Sequence, residues 1–246
     1  ILSLKVRSAI TKVESELSAA EGIRTALRLG DSCLIVGEVR SGEAKALYEA
    51  MRVGALSNVV AGTIHGESPY GVFDRVVNDL KVTPTSFKAT DVIVVCNPIR
   101  SADGLHKKRR IVQVTEVRKG WKADPMLEHG FMDLMAYNPK TDTLEPTREL
   151  LQGESEVISA VAGRVKEWIG NFDAVWSNIK LRAQIKQALV EMSDKAHRPD
   201  LLESDFVVRT NDVFHIVSDQ VREEFGELDS DEIYKRWEDW VKKQIR

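Results

Sequence analysis

The sequence predicts an α/β fold with an antiparallel sheet extension and a C-terminal all-helical region. The α/β part is indicated by apolar runs at 33–37, 58–64 and 91–96, each short enough for a buried strand, with amphipathic helical patterns between them. Strands that read as continuous apolar runs are typical of parallel sheets covered by helices on both faces. We therefore expect a core of parallel strands in the first half of the chain.

Two further patterns complete the predicted architecture. Apolar and polar residues alternate over much of 111–117 and more weakly over 131–137, and no crossover helix fits between 97 and 111. Strands joined without a crossover are antiparallel, so we expect an antiparallel extension over 108–138. From about residue 147 the apolar residues recur with helical spacing. The predicted domains are 1–146 and 147–246.

The composition is typical of a soluble globular protein. The chain has 246 residues, of which 43% are hydrophobic and 30% charged, which argues against both a disordered and a fibrous chain. No apolar run approaches the length of a membrane-spanning helix. Cys33 and Cys96 are expected to be reduced, buried residues inside strands, since two Cys and five scattered His do not make a metal site.

Charge is divided unevenly along the chain. Residues 151–246 carry a net charge of −5, whereas residues 1–150 carry +2. The two parts of the chain are therefore expected to have different functions. The overall value of −3 does not favour wholesale binding to nucleic acid. A basic cluster, 106–110, is predicted in the turn before the strand at 111–117, where it either meets phosphates or an acidic surface or is simply solvated.

Helix starts in the first half have clear signals. Ser18 and Glu21 have the spacing of a capping box, Ser41 is predicted to cap the helix of the next apolar stripe, and the Ser-Pro and Thr-Pro pairs at 68–69 and 83–84 place Pro at the first helical position. Gly30 and Gly54 are predicted helix stops. An alternating segment that contains Leu2, Leu4 and Val6 is compatible with a strand at the N-terminus.

The second half reads as successive helices. An apolar face runs over 157–169 and continues over 172–179, a second stretch covers 181–192 and a third covers 213–225. Ser230 is predicted to cap a last helix. The Trp and Phe residues on these faces are interpreted as core rather than as a cofactor site, because no Gly-rich or Cys/His pattern accompanies them.

Charged residues follow the ends of two successive predicted strands. Glu38 and Arg40 come directly after the run that ends at Gly37, and His65 follows the next run, beside Gly66. The carboxyl ends of parallel strands meet at one edge of a sheet, where ligands bind in open α/β folds. We therefore expect Glu38 and His65 to lie close together. The alternative is an ordinary charged turn at a solvated strand end.

The segment over 21–77, EGIRTALRLGDSCLIVGEVRSGEAKALYEAMRVGALSNVVAGTIHGESPYGVFDRVV, resembles the archaeal type II/type IV secretion-system (pilus-assembly) ATPases. In that family a strand ending in GE-[IV]-R is the Walker B segment, and T-x-H, here 63–65, is the histidine box. The strand RRIVQVTEV at 109–117 resembles the family's closing strand. The resemblance covers roughly 15–120 and implies a partial RecA-like P-loop ATPase core.

The resemblance implies roles for five residues. Glu38 would be the catalytic Walker B acid, which orients the attacking water and helps to organise Mg²⁺ indirectly. His65 would contact the γ-phosphate side. Arg40, Arg24 and Arg28 would be charge partners for phosphate or for Glu38. For Arg40 the alternative is an Arg–Glu ion pair that only holds the sheet edge together, and for Arg24 and Arg28 it is a solvated helix face.

The sequence departs from the family in what it lacks. It contains no G-x-x-x-x-G-K-[ST] phosphate loop and no acidic Asp box, both of which family members carry upstream, and it does not begin with Met. We therefore expect the C-terminal part of a longer motor, which by itself binds ATP and Mg²⁺ weakly or not at all. Loss of upstream strands is expected to expose a sheet edge.

The implied function is ATP hydrolysis that drives export or assembly of pilin-like proteins. The implied partners are the upstream ATPase segment and domain, identical subunits in a hexamer and a membrane platform protein, at the cytoplasmic face of the cell membrane. No nucleic acid is expected. Two alternatives are a non-catalytic interaction module that binds no nucleotide and a RecA-like nucleic-acid translocase, the latter favoured only by the basic cluster at 106–110.

Overall fold

The computed structural model describes residues 18–28, 33–53, 59–101 and 104–245. The chain forms two compact units, Ile1–Val157 and Ile158–Arg246. The predicted domain boundary, between 146 and 147, coincides with the end of the last strand. The predicted N-terminal strand and the helix stops at Gly30 and Gly54 lie outside the described residues.

The first unit opens with two α/β steps. Helix α1 spans Ala19–Arg28, strand β1 Leu34–Val36, helix α2 Glu43–Val53 and strand β2 Val60–Gly62. Strands β1 and β2 are parallel and pair in the register Leu34↔Val60 to Val36↔Gly62. The parallel arrangement of these two strands was predicted and is confirmed.

The expectation that β1 is buried on both faces is wrong. Leu34 and Val36 pack against the core, but the side chain between them, Ile35, is 74% exposed, and Val59 beside β2 is 67% exposed. Successive side chains of a strand point to opposite faces. One face of this two-stranded sheet is covered by the helices, and the other is open among the residues that the structure describes.

The capping box of α1 and the apolar stripe of α2 are confirmed, but the predicted cap of α2 is wrong, because the Ser41 hydroxyl donates to the Glu43 carboxylate at 2.7 Å rather than accepting from an amide. The Ser18 hydroxyl accepts a hydrogen bond from the Glu21 amide at 3.2 Å, while the Glu21 carboxylate accepts from the Ser18 amide, also at 3.2 Å. This reciprocal pair is a capping box. On α2 the predicted apolar stripe is buried at Ala44, Leu47 and Tyr48.

Two short helices follow and carry the aromatic core. Helix α3 spans Pro69–Asp74 and continues as a π-helical turn, Arg75–Asp79, and α4 spans Pro84–Phe87. As predicted, Ser68 and Thr83 cap these helices through their hydroxyls. Phe73 meets both Phe87 and Trp121 edge to face, at ring-centroid distances of 5.2 and 5.6 Å. These contacts hold α3 against α4 and against the segment that contains Trp121.

The second sheet is antiparallel throughout and has the order β3-β4-β5-β6. Its strands are β3 (Val92–Arg100), β4 (Lys107–Val117), β5 (Phe131–Asn138) and β6 (Thr143–Pro146). The predicted antiparallel extension is confirmed. The assignment of the run at 91–96 to the parallel core is wrong, because β3 pairs with β4.

The physical reason is the length and connection of β3. It continues beyond its apolar run to Arg100 and returns to β4 after a short connection, from 101 to 106, which only antiparallel strands can share. The predicted position of the basic cluster, in a turn, is also wrong. Lys107 to Arg110 lie in strand β4 itself, and not in a turn before it.

Both cysteines are exposed, contrary to the prediction. Cys33 lies just before β1, outside the strand. Cys96 lies in β3 but on its outward face, since the strand alternates exposed and buried positions and Val95 is the buried neighbour. An apolar run does not by itself reveal which of its alternate positions points outward.

A buried carboxylate joins β4 to the helix that follows the sheet. After α5 (Arg148–Leu151), helix α6 spans Glu156–Ala162. The Glu116 side chain has no exposed surface and accepts hydrogen bonds from the Ser155 hydroxyl at 2.5 Å and from the amides of Glu156 and Val157 at 3.0 and 3.2 Å. A carboxylate at this position satisfies amides that the first turn of a helix leaves unpaired.

The second unit contains α7 (Phe172–Ala196), a 3₁₀ turn (Pro199–Leu202), α8 (Ser204–Phe225) and α9 (Ser230–Ile245). The predicted stretches at 172–179 and 181–192 form the single helix α7, whereas the face predicted over 157–169 is interrupted after Ala162. Trp237, Ile233 and Val241 have no exposed surface. The interpretation of the Trp stripe as core is confirmed at Trp237, although Phe225 is 56% exposed.

The predicted cap of α9 is off by one residue. The carboxylate of Asp229, rather than the hydroxyl of Ser230, accepts hydrogen bonds from the amides of Asp231 and Glu232, both at 2.9 Å. Both residue types are strong N-caps, so the local sequence favours each of them. The path of the chain after α8 decides which side chain faces the free amides.

Candidate active site

The site is built where β1 and β2 end. Main-chain hydrogen bonds continue past the strands, from the Thr63 amide to the Val36 carbonyl at 3.3 Å and from the Val39 amide to the Thr63 carbonyl at 2.8 Å. The Thr63 hydroxyl also donates to the carbonyl of Gly37 at 2.6 Å. Three bonds from one residue therefore fix the two strand ends relative to each other.

These bonds bring Glu38 and His65 together. The Nε2 atom of His65 lies 3.2 Å from Oε1 of Glu38, and the Arg40 guanidinium forms an ion pair with Oε2. Each carboxylate oxygen thus has one partner. The Glu38 side chain is 26% exposed, whereas those of His65 and Arg40 are 80% and 70% exposed. The carboxylate is therefore less exposed than either of its two partners.

The surroundings hold Glu38 in its ionised form. Its pKa lies below the ordinary value, chiefly because Arg40 donates a hydrogen bond to the carboxylate. Loss of hydration opposes this shift, and the charges of Arg40 and His65 add to it. The same pairing raises the pKa of the Arg40 guanidinium. At neutral pH the site therefore presents an anionic oxygen acceptor beside a fixed cation.

A second carboxylate supports the loop that carries Glu38. The Glu43 side chain accepts hydrogen bonds from the amides of Arg40 and Ser41, at 2.6 and 2.9 Å, and from the Ser41 hydroxyl at 2.7 Å. Burial would raise the pKa of Glu43, but these hydrogen bonds outweigh it and lower the pKa. Sequence reasoning missed this role, although a Glu three residues after the loop residue Arg40 has the spacing of a capping box.

The two arginines of α1 are not brought to this site. Arg24 and Arg28 are exposed on α1. Across the part of the chain that the structure describes, neither is joined by a hydrogen bond or ion pair to Glu38 or His65. The structure places Arg40, and not these two residues, beside the carboxylate.

Within the described residues, no group of three or more His, Cys, Asp or Glu side chains is arranged to hold a metal ion. A single carboxylate nevertheless fits an indirect role toward Mg²⁺, because Mg²⁺ keeps several waters and takes one or two carboxylates together with substrate phosphates. Glu38 is the residue that would face such an ion. In the same described ranges, no helix is long and apolar enough to cross a membrane.

No protein-family model matches the chain. An uncharacterized protein of Methanocaldococcus jannaschii is 32% identical to it over 165 residues, which cover 67% of this chain and 55% of that protein. The chain therefore spans about half the length of the relative that it matches.

Proposed function

We propose that this chain is the C-terminal part of a secretion or pilus-assembly motor ATPase, in which Glu38 is the hydrolytic carboxylate and His65 lies on the γ-phosphate side. The observation that carries the proposal is the contact between Glu38 and His65, at 3.2 Å, at the carboxyl ends of two adjacent parallel strands. Two residues separated by a whole β–α step meet at the edge where α/β sheets bind ligands.

In this proposal Glu38 acts on the attacking water. An ionised carboxylate accepts a hydrogen bond from water and orients it for in-line attack on a phosphoryl group. When bound, Mg²⁺ would neutralise charge on the phosphoryl oxygens. Arg40 holds one oxygen of Glu38 and so keeps the other directed toward His65, and it is itself exposed enough to reach a phosphate.

The rest of the active site would come from outside these 246 residues. Since the sequence contains no G-x-x-x-x-G-K-[ST], the phosphate-cradling loop belongs to an upstream ATPase segment in this proposal. The motor would work as a hexamer on a membrane platform protein, at the cytoplasmic face of the cell membrane. The partial RecA-like core is likewise a proposal, supported by the parallel pair β1–β2 alone.

ATP turnover of the longer natural polypeptide tests the assignment of Glu38. We expect Glu38→Gln to lower kcat by about 100-fold or more, since the amide cannot accept the proton of the attacking water. Glu49→Gln, on the exposed face of α2, is the matched control and should leave turnover unchanged. Equal turnover of Glu38→Gln and wild type would refute the role.

A non-catalytic interaction module is the second candidate, and the Arg40–Glu38 ion pair favours it. In that role the two side chains bind each other rather than a ligand, and the ion pair only holds the sheet edge together. A longer natural polypeptide without ATP turnover at any Mg²⁺ concentration would support this candidate. Under either candidate, calorimetry should detect at most weak binding of Mg²⁺-ATP to the 246-residue chain, and micromolar affinity would show that the chain cradles phosphate by itself.

A further inference from the structure

The β3–β4 hairpin extends beyond the rest of its sheet. Strand β4 pairs with β5 only over Gln113–Val117, whereas it pairs with β3 from Lys107 to Glu116. Two segments, Cys96–Arg100 and Lys107–Ile111, therefore form a two-stranded arm. At the rise of an extended strand the arm is about 16 Å long. We refer to these two segments as the basic arm.

The five side chains at Arg100 and 107–110 are sorted by the strand register onto two faces. Arg100 pairs with Lys107, and Pro98 pairs with Arg109, so the cations at 100, 107 and 109 share one face. Lys108 and Arg110 lie on the other face. The cluster that looks uniform in the sequence is thus split by the alternation of a strand.

The second face is partly neutralised, by one carboxylate that faces two cations. Asp142, in the turn between β5 and β6, accepts two hydrogen bonds at 2.8 Å from the Arg110 guanidinium and one at 2.8 Å from the Tyr137 hydroxyl, and lies 3.6 Å from the Lys108 ammonium. The Arg110 hydrogen bond chiefly, and then that of Tyr137, holds the pKa of Asp142 well below its usual range. This contact braces the arm from one side.

The first face keeps its charge. Arg100, Lys107 and Arg109 are exposed, and within the described ranges no carboxylate pairs with any of them. The same face carries exposed aliphatic groups, with Ile111 at 43% and Val94 at 51%, and the hairpin tip presents Leu105 at 83% exposure. A projecting face therefore combines aliphatic side chains with three cations that no carboxylate pairs in the described ranges.

From this arrangement we propose that the basic arm docks the protein directly on an anionic lipid surface. Cations gain from acidic headgroups, while aliphatic side chains beside them gain from burial at the boundary between headgroups and acyl chains. The projecting tip of the β3–β4 hairpin can contact a flat lipid surface. The inference does not depend on the proposed ATPase function.

Other occupants fit this face less well. Single-stranded nucleic acid is bound with aromatic side chains on which bases stack, and neither segment of the basic arm contains an aromatic residue. Hydrated phosphodiesters would also leave Leu105 without an apolar environment. A second copy of the chain would set like charges opposite each other, which is unfavourable.

Cys96 supplies a reporter on the face itself, since it is exposed and pairs with Ile111. An environment-sensitive dye on Cys96, in the 246-residue chain carrying Cys33→Ser, would be titrated with phosphatidylcholine vesicles containing about 30% phosphatidylglycerol. We expect a blue shift of dye emission with these vesicles and none with pure phosphatidylcholine. Raising the salt concentration should weaken binding, because salt screens exposed charges.

Matched variants test whether vesicle binding depends on this particular face or on the positive charge of the basic arm in general. Lys107→Gln with Arg109→Gln should weaken vesicle binding by about 30-fold, at roughly fivefold for each cation at an anionic surface. Lys108→Gln, on the braced face, should change it much less, and Leu105→Ser should reduce the blue shift. Equal binding to neutral vesicles, an equal loss with Lys108→Gln, or binding to duplex DNA without binding to vesicles would overturn the proposal.

Discussion

At the scale of single residues, the site depends on how Glu38 is paired. Its two oxygens contact Arg40 and His65 separately, and its loop is held by Glu43 and Thr63. Arg40 has the larger influence, because its hydrogen bond is the first cause of the lowered pKa of Glu38. The ionisation of this one carboxylate therefore reports directly on the geometry of the site.

Removing the Arg40 guanidinium should raise the pKa of Glu38. In Arg40→Gln the ionised form loses its strongest hydrogen bond, so the pKa should move up toward 4.5, the ordinary value for Glu. His65→Ala should raise it less. Carbon-13 NMR of the Glu38 carboxyl group across a pH titration measures both changes.

The control for this titration is Lys45→Gln, which removes a cation from the exposed face of α2. It should leave the Glu38 titration where it is in the wild-type chain. Identical Glu38 midpoints in wild type and Arg40→Gln would contradict the ion pair.

Removal of the buried Glu116 carboxylate should destabilise the first of the two units. Glu116→Ala leaves the amides of Glu156 and Val157 without the carboxylate that accepts their hydrogen bonds in a buried site. We expect a loss of about 3 kcal/mol in the free energy of unfolding, in the range for buried hydrogen-bonding groups left unpaired. Hydrogen exchange of the amides at 156 and 157 should accelerate, measured alongside urea denaturation.

Glu149→Ala, on the exposed surface of α5, is the matched control for Glu116→Ala. Its free energy of unfolding should stay within about 0.5 kcal/mol of wild type, as is usual for surface substitutions. A loss as small as this in Glu116→Ala would show that the carboxylate does not hold α6 to β4.

At the scale of elements, short-range signals determined where α1, α3 and α4 begin. Ser18, Ser68 and Thr83 each accept from an amide three residues later, and the sequence identifies all three. Such caps need only one turn of chain. At α9 two adjacent strong capping residues compete, and the sequence does not choose between them.

Substitution at the start of α9 distinguishes the two caps. Asp229→Ala should lower the free energy of unfolding by about 1 kcal/mol, because the amides of Asp231 and Glu232 lose their acceptor. Ser230→Ala should have little effect, since Ser230 is not the cap. Chemical denaturation of the two variants under identical conditions measures the difference, and a larger loss in Ser230→Ala would contradict the assignment.

At the scale of the whole molecule, the chain buries two separate hydrophobic cores. One is built from residues between Ile23 and Phe131, including the aromatic group around Phe73. The other is built from α7, α8 and α9 around Trp237. The second core depends on the apolar face of α9, where the side chains at 233, 237 and 241 have no exposed surface.

Trp237→Ala should be among the most damaging changes in the second core. It removes a fully buried ring whose Nε1 donates to the Thr210 carbonyl at 3.1 Å, and we expect a loss of about 3–5 kcal/mol in the free energy of unfolding. Trp240→Ala, which removes a half-buried ring stacked on Phe206, should cost less. Hydrogen exchange of amides in α7–α9 measures both, and equal losses would show that Trp237 is not central.

One part of the candidate site was predicted from the sequence, and another part was decided only by the tertiary structure. Glu38 and His65 were expected together from their positions after two successive strands, and the parallel pair β1–β2 places them 3.2 Å apart. The sequence offered Arg24, Arg28 and Arg40 as equal candidates for charge partners. Only the arrangement of β1 and its loop selects Arg40, because that choice depends on where side chains point after the strand ends.

The sequence by itself determined the helix starts at Ser18, Ser68 and Thr83, the buried face of α2 and the antiparallel extension, because these depend on contacts within a few residues or on periodicity. Tertiary structure decided that β3 does not join the sheet of β1 and β2, that Ile35 and both cysteines are exposed, and that Glu116 is buried against the amides of 156 and 157. Each of these outcomes is a competition between partners distant in the chain. An apolar run fits either outcome, and only packing and hydrogen bonding across the folded unit select one.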